Sequence, residues 1–326
     1  MKDFKEKIAV ITGAGTGMGR ELARQLAAQG CHVAICDVLM DNLEETRCLA
    51  LEGAPTGTRV TAHECDVSEE EQMLAFRDAV LREHDTESIN LLFNNAGISG
   101  GGSFLNEPRE QWDKTFGVCW SGVYFGSRAF LPLLVKSDEG CIVNTSSVNG
   151  FWASLGPQIP HTAYSAAKFA VKGFTEALIN DLRINAPHVK AVLVMPGHIG
   201  TSIVKNSARV LGRPTAREMT AKDLDGVRAT YARMGWPVEG VSDDDLRAMM
   251  ERRAADFEAR APLTAADAAG IILDAVREGK WRLLVGADAE RLDRLVRESP
   301  EEAYERPFGA KLLEVVLDQE RATPEG

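Results

Sequence analysis

The chain has 326 residues, of which 44% are hydrophobic and 26% are charged. This composition is typical of a globular protein, and the length suffices for one large domain or two modest ones with a sizeable core. The formal net charge of −11 argues against nucleic acid or an anionic membrane surface as the main partner.

The N-terminal segment 1–7 is too polar for a signal peptide, and no apolar run approaches the length needed to cross a bilayer. We therefore expect a cytoplasmic protein that does not insert into a membrane. The six cysteines all fall in the first half of the chain without metal-ligand spacing, which favours reduced thiols over disulfides or a zinc site.

Short apolar runs alternate with amphipathic segments through the first two thirds of the chain, which is the pattern of repeated βαβ units. The pattern predicts strands at 7–12, 31–37, 59–65, 89–94, 140–145, 189–195 and 281–285. It predicts helices at 17–29, 41–53, 69–84, 108–136, 161–186 and 264–278. We therefore predict an α/β fold in which one domain, 1–326, holds a doubly wound parallel sheet of seven strands.

Segment 198–263 interrupts this alternation and is rich in charged residues. Because a structureless loop of this length is uncommon in a compact domain, we expect two or three short helices here, at the carboxyl end of the sheet. The segment is a candidate substrate lid. A solvated insertion that covers a sheet edge or an oligomer contact is the alternative. Residues 299–326 form a C-terminal extension whose end is expected to fray.

The stretch Thr12–Gly19 contains glycines between a predicted strand and a predicted helix. Glycines lack a Cβ, so the backbone can turn sharply and a pyrophosphate can approach the free N–H groups at the helix N-terminus. Taken alone, the stretch would equally suit a plain glycine-rich turn.

Asp37 stands at the end of the second predicted strand, where a carboxylate can accept both ribose hydroxyls of an adenosine. The same carboxylate would repel a 2′-phosphate, and no Arg or Lys lies inside the glycine loop, so the sequence favours NAD over NADP. The alternative is that Asp37 caps the helix that begins near Asp41.

Tyr164 and Lys168 are four residues apart in a segment with helical apolar spacing, so they lie on one helix face, one turn apart. A tyrosine has a pKa of about 10 and needs nearby positive charge to act as an acid or base near neutrality. A lysine ammonium one turn away can supply that charge.

Several motifs recur in a fixed order, and together they resemble the short-chain dehydrogenase/reductase family. They are TGxxxGxG at 12–19, Asp66-Val67 after the third strand, NNAG at 94–97, the serines after 144–145, YxxxK at 164–168, and Pro196-Gly197 with Thr201 downstream. The resemblance covers about residues 5–290 and implies a Rossmann-type fold.

The resemblance implies an NAD(H)-dependent oxidoreductase that interconverts a secondary alcohol and a ketone without a metal. Tyr164 would be the general acid/base, Lys168 would lower its pKa and hold the nicotinamide ribose, and Ser147, rather than Ser146, would bind the substrate oxygen. The implied cofactor-binding residues are Gly13, Thr16, Gly17, Met18, Gly19, Asp37, Asp66, Val67, Asn94, Ala96, Gly97, Tyr164, Lys168, Pro196, Gly197, Ile199 and Thr201.

Two departures from the family pattern concern the catalytic residues. Cys119 stands where the family usually has an asparagine that completes a catalytic tetrad, which puts the proton relay in doubt. The interval between Ser147 and Tyr164 is longer than usual, and loop 151–161 within it carries aromatic residues.

The aromatic loop 151–161 offers two interpretations. Phe151, Trp152 and Leu155 would form an apolar or aromatic substrate face with His161 as a polar contact, or they would pack under the lid. His198, after the Pro-Gly pair, would likewise contact substrate or nicotinamide, or serve as a capping or surface histidine.

In the family, the helices corresponding to 108–136 and 161–186 join subunits, so the resemblance implies a homodimer or homotetramer. A small molecule, hydrophobic and aromatic or alicyclic, is the expected partner. The alternative function is that of a nucleotide-binding regulatory protein that has lost turnover, favoured only by Cys119. The intact set of Ser147, Tyr164 and Lys168 argues against it. An epimerase or dehydratase is disfavoured, because the glycine loop of those enzymes has another spacing.

Overall fold

The computed structural model describes residues 1–156, 159–305 and 307–308. The strands are β1 Ile8–Thr12, β2 His32–Asp37, β3 Val60–Glu64, β4 Leu91–Asn94, β5 Gly140–Thr145, β6 Val189–Pro196, β7 Ile199–Gly200, β8 Leu263–Thr264 and β9 Arg282–Val285. The helices are α1 Gly17–Ala28, α2 Met40–Glu52, α3 Glu70–His84, α4 Arg109–Phe116, α5 Gly122–Val135, α6 Thr162–Asn185, α7 Ile203–Val210, α8 Ala221–Arg233, α9 Asp243–Ala259, α10 Ala265–Glu278 and α11 Ala287–Glu298.

The main sheet has seven strands in the order β3-β2-β1-β4-β5-β6-β9, and every neighbouring pair is parallel. This confirms the predicted doubly wound sheet. The order reverses between β1 and β4, so the loops that follow these two strands diverge at the carboxyl edge and leave a crevice between them.

Helices cover both faces of the sheet, which explains why the strands read as unbroken apolar runs. On one face, α1 and α10 contribute Leu22, Leu26 and Ile272 to a core with Phe4. On the other face, α3, α5 and α6 contribute the cluster that contains Met73, Phe76, Phe130 and Leu178. These helices therefore each bury an apolar face against the sheet.

The predicted helix 108–136 is interrupted by a π-helical turn at Gly117–Ser121, between α4 and α5. By length and composition, Arg109–Val135 could cross a membrane, contrary to the expectation that no segment could, but 56% of its most apolar window is buried inside the protein. Phe130 and Leu134 lie fully buried against the sheet. This segment, which the structure describes in full, therefore packs as part of the protein core.

Segment 198–263 contains three helices, α7, α8 and α9, in agreement with the two or three expected. The short strands β7 and β8 pair at Ile199 with Leu263 and at Gly200 with Thr264. The insertion thus leaves and rejoins the domain at one place. Its role as a lid stays a prediction.

Helix α11 was not among the predicted elements, although Leu292, Leu295 and Val296 have helical spacing. Leu292 is buried, and α11 packs beside the edge strand β9. It begins at the carboxyl edge of the sheet and contacts the turn Val148–Gly150.

Gly126 illustrates how closely α5 packs on β4. A Cβ at this position would overlap Oδ1 of the buried Asn94, whereas a Cβ on Gly226, inside α8, would meet nothing. We expect Gly126→Ala to lower the free energy of unfolding by about 1–3 kcal/mol. Gly226→Ala should raise it by up to about 1 kcal/mol, the helix-propensity difference. Urea unfolding checks both, and equal effects of the two substitutions would contradict this packing.

Candidate active site

The crevice at the carboxyl edge is bordered by the loops after β1 and β4. Thr12 Oγ1 accepts hydrogen bonds from the backbone N–H groups of Asn95 and Ala96, each at 3.1 Å. Asn95 Nδ2 returns hydrogen bonds of 3.2 Å to the carbonyl oxygens of Thr12 and Gly13. The two loops are therefore joined as one rigid wall.

The glycines of the first loop are required by this close approach. Gly13 and Gly17 have φ of 63° and 58°, in the left-handed region. A Cβ on Gly13 would overlap the backbone of Ala96, and one on Gly17 would lie 3.1 Å from Thr201 Cγ2. Gly19 has the same use, because a Cβ there would overlap the carbonyl oxygen of Gly13.

The cavity behind this loop is bordered by the N-terminus of α1. Among the described residues, no side chain caps the first turn of α1 and no acidic residue lies in that turn. Its N–H groups are therefore free to bind an anion. Of the predicted cofactor-binding residues, those that line the cavity are Gly13, Thr16, Gly17, Met18, Asp37, Asp66, Val67, Ala96, Gly97 and Thr201.

The other predicted cofactor-binding residues lie outside this lining: Gly19, Asn94, Tyr164, Lys168, Pro196, Gly197 and Ile199. The side chain of Asn94 points into the core, where it donates to Asn144 Oδ1 at 2.9 Å and to Ser127 Oγ at 3.3 Å. Gly197 gives room to Asp288, whose carboxylate a Cβ would overlap.

Sequence reasoning missed several lining residues, among them Leu39, Ile98 and three residues of α7: Ile203, Asn206 and Val210. Asn206 Nδ2 donates to Thr16 Oγ1 at 2.9 Å, so α7 covers the glycine loop directly. Leu39 and Ile98 could have been inferred from their places after Asp37 and the NNAG motif. No motif marks α7.

Both oxygens of the Asp37 carboxylate accept backbone hydrogen bonds. Oδ2 accepts from Gly15 N at 2.9 Å and Oδ1 from Leu39 N at 3.0 Å. No side-chain cap is made on α2. The carboxylate therefore braces the glycine loop while it lines the cavity.

Arg20 is the cation nearest in sequence to the glycine loop, and its Nε and Nη2 groups both donate to neighbouring acceptors. Its Nη2 donates to Gly15 O at 2.7 Å and to Glu45 Oε2 at 2.6 Å. Its Nε donates to Thr46 Oγ1 at 2.9 Å. The guanidinium is thus neutralised by Glu45 and occupied by acceptors.

Asp66 lies at the far end of the cavity, after β3. Its carboxylate pairs with Lys114 and accepts from Ser68 Oγ at 2.6 Å. Burial raises the pKa of Asp66, but the hydrogen bonds from Lys114 and Ser68 outweigh burial and hold the pKa below its usual value. Asp66 is therefore a fixed negative group.

The side chains of Ser147, Tyr164 and Lys168 lie close together where β5 ends and α6 begins. Lys168 Nζ lies 5.4 Å from the centre of the Tyr164 ring and donates to Thr145 O at 2.8 Å. Ser146 Oγ instead donates to Lys168 O at 2.7 Å, inside the core. This leaves Ser147 as the serine that hydrogen-bonds Tyr164.

The Ser147 hydroxyl is oriented by its own loop. Ser147 Oγ accepts from Asn149 N at 3.1 Å, at the start of the 3₁₀ turn Val148–Gly150. Because the oxygen accepts from the backbone, the hydroxyl hydrogen remains available to Tyr164 or to a substrate oxygen.

Burial shifts the pKa values of both Tyr164 and Lys168. It raises the pKa of Tyr164 above its usual value, Cys119 adds to the rise, and the hydrogen bond with Ser147 opposes it. Burial also lowers the pKa of Lys168. A Cβ on Gly97 would lie 3.5 Å from Lys168 Nζ, so the lysine stands directly behind the cavity wall.

Cys119 lies in the middle of the π-helical turn and is fully buried. Its thiol donates to Ile98 O at 3.3 Å, and burial raises its pKa. A Cβ on Gly97 would be 3.9 Å from Cys119 Sγ, which places the thiol beside Lys168 at the same wall.

The two histidines singled out from the sequence have different surroundings. The buried ring of His161 stacks on Tyr164 with the centres 4.6 Å apart, and its Nε2 lies 3.3 Å from Ser99 Oγ. His198 donates from Nε2 to Phe257 O at 2.6 Å and from its backbone N to Asp288. His198 therefore has a structural role, as its alternative interpretation held.

The aromatic part of loop 151–161 does not face the cavity. Trp152 is 5% exposed and packs with Leu292, Ala303 and Phe308, and Phe151 lies against the same cluster. Trp152 and Phe151 therefore match neither of the two interpretations from the sequence, a substrate face or packing under the lid. Leu155 is exposed, and residues 157–158 of this loop lie outside the described residues.

The sequence of this chain matches a known protein family. Residues 7–211 match the family model described as short chain dehydrogenase. The chain belongs to the short-chain dehydrogenase family. The chain is accordingly an oxidoreductase with a nucleotide-binding Rossmann-type fold.

Two relatives of this short-chain dehydrogenase show how far the likeness extends. The putative oxidoreductase SadH of Mycobacterium tuberculosis is 34% identical over 297 residues, 91% of this chain and 92% of its own length. Levodione reductase of Leifsonia aquatica is 33% identical and covers 66% of this chain and 78% of its own length.

Solved structures of short-chain dehydrogenases agree with the fold. One from Burkholderia phymatum in complex with NAD has 30% identity and a TM-score of 0.73, over 92% of this chain and 96% of its own. A metagenomic short-chain oxidoreductase in complex with NADP has 29% identity and a TM-score of 0.53, over 60% and 83%.

Cys119 provides a test of the proton path in this short-chain dehydrogenase. A thiol is a weak hydrogen-bonding group, and an amide beside Lys168 can bind water better. We expect Cys119→Asn to raise kcat near neutral pH by about threefold or more and to alter its pH profile. Cys48→Asn, the same change at an exposed thiol, should alter neither. An unchanged profile for Cys119→Asn would make the position structural.

Proposed function

We propose that this protein is an NAD(H)-dependent oxidoreductase that interconverts a secondary alcohol and a ketone. The observation that carries the proposal is that Tyr164 lies beside both Ser147 and Lys168, and that Lys168 Nζ stands behind Gly97 at one wall of the nucleotide cavity. A hydride acceptor in that cavity can act on the carbinol carbon of an alcohol, while a proton acceptor at that wall acts on its hydroxyl oxygen.

The bound nicotinamide supplies the site that takes or returns a hydride. Tyr164 Oη takes the hydroxyl proton of an alcohol, or returns it to a carbonyl oxygen. The half-buried phenol favours its neutral form in the free protein, so the ammonium of Lys168 is needed to stabilise the phenolate. Ser147 donates its free hydroxyl hydrogen to the substrate oxygen and fixes its direction.

Asp37 and Arg20 support a preference for NAD. A 2′-phosphate would lie near the Asp37 carboxylate, which lines the cavity, and like charges repel. Arg20 is held by Glu45 and by the carbonyl oxygen of Gly15, so its charge is already balanced in part and offsets the repulsion less. The relatives of known structure include complexes with NAD and with NADP, so the preference rests on these residues.

A hydrophobic substrate, aromatic or alicyclic, is supported by the loop before α4. Phe104 and Leu105 are 72% and 90% exposed. The same loop is joined to the start of α6, since Gly101 O accepts from Ala163 N at 2.9 Å. Large apolar side chains thus stand exposed beside the helix that carries Tyr164.

We further propose a homodimer or homotetramer formed through α5 and α6. Both helices present large apolar side chains to solvent, of which Tyr124 and Phe169 are each 41% exposed and Ile184 is 80% exposed. Burial of these side chains between copies would stabilise an assembly.

A second candidate function is nucleotide binding without turnover. Burial and Cys119 both raise the pKa of Tyr164, which opposes proton release. The hydrogen bond from Ser147 and the nearby Lys168 argue for catalysis. NADH absorbance during incubation with a panel of secondary alcohols separates the two, since a silent binder would show cofactor affinity alone.

Tyr164→Phe tests the catalytic proposal. The variant keeps the ring that stacks on His161 but removes the group that exchanges the proton, so kcat should fall by about 10²–10⁴-fold. The dissociation constant for NADH, from fluorescence titration, should change little. Tyr231→Phe, remote in α8, should keep full activity. Turnover that survives in Tyr164→Phe would exclude Tyr164 as the acid/base.

Asp37→Asn tests the cofactor preference. Asparagine keeps an acceptor for Gly15 N but loses the charge, so the ratio of kcat/KM for NAD to that for NADP should fall by about tenfold or more. Asp41→Asn, a charge removal at the exposed start of α2, should leave the ratio unchanged. Equal use of both cofactors by the unmodified enzyme would refute the preference.

A further inference from the structure

The loop that follows β5 and carries Ser147 is tied into one unit by Asn149. Ser147 Oγ accepts from Asn149 N, and Asn149 Nδ2 donates to Trp152 O at 3.0 Å and Ser154 O at 2.6 Å. The side chain of Asn149 is buried. A displacement of Trp152 is therefore transmitted through two hydrogen bonds to the serine. We call residues 147–154 the serine loop.

The serine loop is held from outside by the segment after α11, residues 299–305 and 307–308, which we call the C-terminal clamp. Trp152 Nε1 donates to Ala303 O at 2.7 Å, and Ala153 N donates to Tyr304 Oη at 3.1 Å. Two successive residues of the loop thus have hydrogen-bond partners about 150 positions away in the chain.

Apolar packing accompanies these hydrogen bonds. Trp152 is 5% exposed and Phe308 is 2% exposed, with ring centres 5.9 Å apart. Leu292 of α11 and Ala303 complete a buried cluster that is separate from the two cores on the sheet. Loss of the clamp would expose this apolar surface, so the clamped state is favoured.

We propose that the C-terminal clamp positions the catalytic serine, with Trp152 as the positioning residue that connects the two. The proposal rests on the proposed function of Ser147. The clamp lies outside residues 7–211, which the family model matches.

The first experiment is a double-mutant cycle in the full-length protein. Trp152→Phe keeps a ring in the cluster but removes the hydrogen bond to Ala303. It should lower kcat/KM by about fivefold or more for a secondary alcohol that the unmodified enzyme oxidises, with the affinity for NADH unchanged. In a Ser147→Ala background the same substitution should cause no further loss. Trp281→Phe, at a half-exposed tryptophan on the sheet edge, is the matched control and should have no effect.

The outcomes separate the two proposals. Unchanged activity in Ser147→Ala would refute the proposed function of Ser147. If Ser147→Ala loses activity but Trp152→Phe has no effect, only the clamp proposal is overturned. The same holds if Trp152→Phe lowers activity equally in the unmodified protein and in the Ser147→Ala variant.

The second experiment needs no substrate. Hydrogen exchange of the amides of Val148–Trp152 should be about fivefold faster in Phe308→Ala than in the unmodified protein, while the amides of β1 exchange at unchanged rates. Unchanged exchange in the serine loop would overturn the proposal. Uniformly faster exchange in both regions would also overturn it, since it would reveal a general loss of stability.

Discussion

The site depends on the close approach of two loops at the point where the strand order reverses. Thr12 accepts from the N–H groups of Asn95 and Ala96, and Gly13 lies so near Ala96 that no other residue fits. This contact sets the width of the cavity and places Gly97 against Lys168. The nucleotide wall and the catalytic wall are therefore the two sides of a single loop.

The sheet and the placement of Tyr164 beside Lys168 could be predicted from the sequence because both rest on local patterns. Strands buried on both faces give continuous apolar runs, and glycines mark a turn that only they allow. The spacing of Tyr164 and Lys168 gives their relative position through helix geometry alone. Each of these inferences requires only a few consecutive residues.

The remainder could not be predicted because it depends on contacts between segments far apart in the chain. Nothing local assigns Asn206 to Thr16 or Trp152 to Ala303. Aromatic residues in a loop between two catalytic groups indicated a substrate face, but burial against α11 was more favourable. The π-helical turn that carries Cys119 likewise interrupts a segment whose periodicity predicts one continuous helix.

Two segments that carry none of the sequence motifs border this site. Helix α7 covers the glycine loop, and the segment after α11 holds the loop of Ser147. In the proposed function, the crevice binds the cofactor, and Tyr164 with Lys168 supplies the acid/base pair. The segment after α11 lies outside residues 7–211, which the family model matches.

A crystal structure of the complex with NAD tests the central claim most directly, namely that one dinucleotide spans Asp37 and Lys168. The account predicts the adenosine ribose within hydrogen-bonding distance of the Asp37 carboxylate. It also predicts Lys168 Nζ on the nicotinamide ribose and Tyr164 Oη facing the nicotinamide ring. A dinucleotide bound elsewhere, or one whose nicotinamide lies away from Tyr164, would contradict it.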